Sequence, residues 1–69
     1  MDSEKQNAAM VELEYNGFRF SNWVSGESEG EVCAVMIKTL GRFGHYYCEV
    51  APDGYCDGKP IAEFLAEQS

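Results

Sequence analysis

Basic residues are scarce in this 69-residue chain: five lysines and arginines stand against twelve aspartates and glutamates, giving a formal net charge of −7. That imbalance repels phosphate backbones and anionic headgroups, so direct binding to nucleic acid or to a membrane is not expected. No apolar run approaches the roughly 20 residues needed to span a bilayer. The opening residues Met-Asp-Ser-Glu-Lys-Gln-Asn lack the basic-then-apolar order of a secretory signal, which points to a cytoplasmic protein. The cysteines, Cys33, Cys48 and Cys56, are three in number and irregularly spaced. A secreted scaffold this small more often carries an even set. The odd set reads as thiols in a reducing compartment, with Cys33 and Cys48 as small core groups and a disulfide as the minor alternative.

Signatures of chemistry are also missing. Cys33, His45, Cys48 and Cys56 are the metal-competent side chains, yet only His45 and Cys48 are close in sequence. Structural zinc sites usually use tight Cys-x₂-Cys pairs, and on a strand the odd offset sends His45 and Cys48 to opposite faces. Asp53 and Asp57 fit no calcium-loop pattern. Cys48 lies three residues from the single histidine without a nucleophile elbow or a readable supporting group. The expectation is a non-enzymatic protein with no cofactor and no metal.

What the chain does contain is patterning. Hydrophobic content is 45%, with nine aromatic residues, ample for one small core. Val11 to Trp23 alternates about Asn16-Gly17, a dipeptide suited to a type I′ turn. Folded there, Tyr15 faces Phe18, Glu14 faces Arg19 and Leu13 faces Phe20, which predicts a first hairpin. Residues 25–31 read as a small, acidic loop. Val32–Leu40 and His45–Ala51 alternate again about Gly41-Arg-Phe-Gly44 and predict a second hairpin. Pro52-Asp-Gly54 marks a turn. Pro60 opens a helix whose Ile61, Phe64 and Leu65 share one face.

The expected architecture is therefore α+β: a four-stranded antiparallel β-meander of two hairpins with one short C-terminal α-helix packed on one face. Residues 1–9 are expected as a flexible arm, with one short helical turn through Asn7-Ala-Ala-Met10 as the alternative, and 10–69 as a single ββββα unit. In this reading the helix covers Val11, Leu13, Phe18, Phe20, Val35, Ile37, Tyr46 and Val50. The other side of the sheet then shows Trp23, Met36, Leu40, His45 and Tyr47, a candidate protein-binding surface. Glu27, Glu29, Glu31, Asp53, Asp57, Glu63 and Glu67 form a candidate acidic surface.

The expected function is that of an adaptor or inhibitor. It would bind a protein partner, which the chain's charge favours as a basic one, or a second copy of itself as a homodimer. One alternative is a nucleic-acid mimic whose carboxylates occupy the basic groove of a DNA- or RNA-binding protein. A second alternative is a small zinc-binding domain.

Overall fold

A computed structural model describes residues 3–26 and 29–68. The element order is α1 (Ser3–Tyr15), β1 (Arg19–Ser25), β2 (Val32–Thr39), a 3₁₀ turn (Gly41–Phe43), β3 (His45–Val50) and α2 (Ile61–Ala66). The strands form one antiparallel sheet in the order β1-β2-β3. The fold is thus α+β, with three strands rather than the expected four and a helix at each end. The second hairpin and the C-terminal helix are present; the first hairpin is not.

The difference arises at Asn16-Gly17. Residues 3–9, expected as an arm or at most a short helical turn reaching Met10, and Val11–Tyr15, expected as a strand, are one helix. Gln6, Ala9 and Leu13 are buried at helical spacing, with Met10 packed beside them. The interior of α1 is largely alanine, glutamate, methionine and leucine, all good helix formers. Gly17, at φ 95°, ends the helix. The Phe18 N–H donates to the Leu13 carbonyl at 3.0 Å and the Gly17 N–H to the Glu14 carbonyl at 3.1 Å. That bond pair is a Schellman motif, and the apolar contact that accompanies it is supplied by Leu13 and Phe18, both in the core. Asn16 adds a side-chain amide bond to the Glu12 carbonyl at 2.8 Å. A left-handed glycine serves a hairpin turn and a helix stop equally well.

The faces of β2 are also exchanged. Ala34 pairs with Val50 and Met36 with Cys48, and all four lie in the core cluster with Leu13, Phe18, Cys56 and Phe64. Met36, expected on the open face, is therefore fully buried. Val35 and Ile37, expected under a helix, lie on the side that no helix covers among the described residues. β2 is apolar in both registers, so alternation identified two faces without ranking them.

Three contacts seat the helices. Gln6 is buried, and its amide donates to the carbonyls of Val32 and Val50, each at 3.0 Å, tying α1 to β2 and β3. Gly54 (φ 89°) lets the turn after β3 approach α1 closely, since a Cβ there would stand 3.0 Å from the Lys5 carbonyl oxygen. At the other end, Pro60 precedes α2, and Phe64 packs its ring 6.1 Å from that of Phe18. Six residues do not make a helix stable in isolation, so α2 depends on that docking. No helix among the described residues is long and apolar enough to cross a membrane.

Candidate functional site

Strand alternation and register place Arg19, Val24, Val35, Ile37, Tyr47 and Glu49 on the uncovered side of the sheet. Ile37 sits at the centre, paired with Arg19 on one flank and Tyr47 on the other. Val35 lies one step along, between Asn22 and Glu49, and is buried by its neighbours. Val24 and Ile37 are half-buried, while Tyr47 is 54% exposed. The strip is apolar along its middle, with a guanidinium on one side and a carboxylate on the other. The Tyr47 hydroxyl donates to Glu49 Oε2 at 3.3 Å, two residues along the same strand. Desolvation first, then the Glu49 charge and hydrogen bond, hold that phenol above its ordinary range.

The five residues expected to share a binding surface do not share one. Tyr47 and His45 are exposed on the open side, His45 at the start of β3. Leu40 is half-buried in the link to the 3₁₀ turn. Met36 is in the core. Trp23 pairs with Ala34 and so stands on the helix-covered side, at the free edge of the sheet. A β-bulge between Phe20 and Asn22 puts Phe20 and Trp23 on the same side, with ring centroids 5.2 Å apart. Both remain exposed, forming a second aromatic patch along β1. Sequence reasoning missed Ile37 as a surface centre and Phe20 as an exposed ring. The dense aromatic content was the available signal: seven of the nine aromatic side chains are exposed, and only Phe18 and Phe64 are buried.

The acidic candidates are dispersed among structural roles. Asp53 accepts the Tyr55 N–H at 3.0 Å, and Asp57 accepts the Glu49 N–H at 3.0 Å. Glu67 pairs with Lys59, both partly exposed. Glu63 is exposed on α2, Glu29 is exposed in the loop after β1, and Glu31 is half-buried there. Glu27 lies outside the described residues.

The four metal-competent side chains are divided between the two sides of the sheet. Cys33 and His45 have the parity of the open side, and Cys48 and Cys56 lie in the core cluster. Among the described residues no three His, Cys, Asp or Glu side chains converge as a metal site. The three cysteines are thiols rather than disulfide partners.

No family model, curated protein or solved structure matches the chain.

Proposed function

We propose that this chain is a small acidic, non-enzymatic interaction module of the cytoplasm that binds a protein partner, or a second copy of itself, through the open side of its sheet. One observation carries the reading: on a sheet side that no helix covers among the described residues, the 54% exposed Tyr47 ring pairs with the half-buried Ile37. Isolated exposed apolar groups are ordinary, but an aromatic ring beside a half-buried aliphatic strip is typical of contact surfaces. Ile37 and Tyr47 form the centre of that strip, and Arg19 and Glu49 form its polar rim. A partner that brings apolar groups to Ile37 and a cation to Glu49 fits it best.

The test is association measured by sedimentation and by affinity capture, at low and high salt, for the wild type, Tyr47→Ala and Trp23→Ala. Tyr47→Ala should weaken binding about tenfold or more. Trp23→Ala should weaken it much less, because that ring belongs to the other side. A wild-type protein that stays monomeric and captures nothing at either salt concentration removes the proposal. Binding that collapses as salt rises, and that duplex DNA displaces, would assign the contact to the carboxylates instead.

A further inference from the structure

Cys48 and Cys56 are both fully buried in the core cluster, and neither belongs to the sheet face proposed for binding. Their proximity follows from the backbone. Cys56 forms an antiparallel bridge with Val50. On either side of that bridge the Asp57 N–H donates to the Glu49 carbonyl at 3.0 Å and the Ala51 N–H to the Tyr55 carbonyl at 2.8 Å. Facing residues on such a ladder point to one side, and so does the residue two positions along. Cys48 therefore lies diagonally across from Cys56, on the core side.

The two thiols interact directly. The neighbouring Cys56 thiol and burial push the Cys48 thiol up. The neighbouring Cys48 draws the Cys56 thiol below its ordinary range, against the opposing effect of desolvation, while the Cys56 thiol donates to the Gly54 carbonyl at 3.9 Å. Of the two, Cys56 is the sulfur whose ionisation is the more favoured, and so the one suited to attack. Cys33, on the opposite side of the sheet, takes no part.

We propose that Cys48 and Cys56 form an oxidation site, a dithiol that hydrogen peroxide closes to a disulfide between β3 and the turn that follows it. The Cys56 thiolate attacks one peroxide oxygen, the O–O bond breaks, and the departing hydroxide leaves as water with the proton lost from Cys56. The Cys48 sulfur then attacks the resulting sulfenic sulfur. The S–S bond forms, the S–O bond breaks, and the second oxygen leaves as water with the proton of Cys48. Two thiols are oxidised by two electrons, and one peroxide is reduced to two waters.

Burial makes access the slow step. Residues 51–59 contain no helix or longer strand, and short-range bonds hold them, such as the Cys56 N–H to the Lys59 carbonyl at 2.7 Å and the Gly54 N–H to the Ala51 carbonyl at 2.8 Å. A segment of that kind opens locally more readily than the sheet unfolds. The same freedom lets Cys56 adjust its backbone to the separation a disulfide requires. Closure restricts the unfolded chain, so the oxidised protein should melt higher by about 10–20 °C, less whatever strain the closed bond adds.

The experiment treats the full chain with hydrogen peroxide, blocks remaining thiols with iodoacetamide in denaturant, and cleaves after glutamate, lysine and arginine. Cuts at Glu31, Lys38, Arg42 and Glu49 place the three cysteines on separate peptides. The expected product joins the Cys48 and Cys56 peptides, with a mass two hydrogens below their sum, and dithiothreitol abolishes it. Cys33→Ala should leave the link intact, and Cys56→Ala should abolish it. Should Cys56→Ala fail to fold, the wild-type peptide map decides alone. A link through Cys33, a link only between chains, or three thiols that remain alkylatable after peroxide would each overturn the proposal.

Discussion

The two sides of the β2–β3 hairpin share one backbone and one alternation, yet they differ in what they bury. On the covered side, Ala34, Met36, Cys48 and Val50 are sealed by α1, α2 and the turn carrying Cys56. On the open side, Val35 is equally buried, but Ile37 is only half-covered and Tyr47 projects. The covered side holds compact residues where the helices approach it, and Tyr46, of the same parity, stays exposed beyond them. The open side places a larger ring where no element of the described chain meets it. Stability therefore resides on one side and recognition, by this proposal, on the other. Substitutions can test that division directly.

The largest effect is expected in the core. Phe18 is 2% exposed, packs against Phe64, and lies beneath the Lys38 ammonium, which stands 5.8 Å from its ring centroid. Phe18→Ala should cost about 3–5 kcal/mol, which approaches the whole stability of a domain this small. Urea unfolding followed by circular dichroism would measure it. A loss below about 1 kcal/mol would mean the covered side is not the core. Next in size is Gln6→Leu, which keeps the volume and removes the donor to the Val32 and Val50 carbonyls. A loss of about 1–3 kcal/mol is expected.

Gly17→Ala separates the helix stop from the hairpin turn that the same dipeptide suggests. At φ 95° alanine is strained, and its Cβ would lie 3.2 Å from Lys38 Cε, an end that can move. The expected cost is about 1–2 kcal/mol, with helical circular dichroism retained in the folded fraction. Gly17→Asn should cost less than the alanine change, because asparagine tolerates the left-handed region.

These substitutions also show why only part of the fold was legible in the sequence. At α2 one period fits: Ile61, Phe64 and Leu65 have no competing alternation, and Pro60 marks the entry. At β2 and β3 the branched and aromatic residues match only a strand. Around Leu13 two periods coexist, because Val11, Leu13 and Tyr15 alternate while Gln6, Ala9 and Leu13 recur helically. The tie is broken by docking onto the sheet, a tertiary effect that local pattern does not contain. The bulge at Ser21 is similarly silent, and it alone moves Trp23 away from Tyr47. Tyr47 was legible because β3 has a polar face and an apolar face. Ile37 was not, because β2 is apolar on both.

The smallest stability effect is expected at the open side. Tyr47→Ala should leave the melting temperature within a few degrees of wild type, since the ring is exposed and its hydroxyl bonds to the neighbouring Glu49. The informative readout there is titration. Partial desolvation and Glu49 raise the Tyr47 phenol above the ordinary tyrosine range, so the folded state holds that proton more tightly than the unfolded chain does. The resulting stabilisation is fully present below the unfolded phenol's pKa, and it is lost as pH rises through the raised folded value. Absorbance titration should show the Tyr47 phenol ionising above the ordinary tyrosine range, and Glu49→Gln should lower it. A partner seated over Ile37 and Tyr47 would delay that ionisation further, whereas a partner bound at Phe20 and Trp23 would leave it where it is.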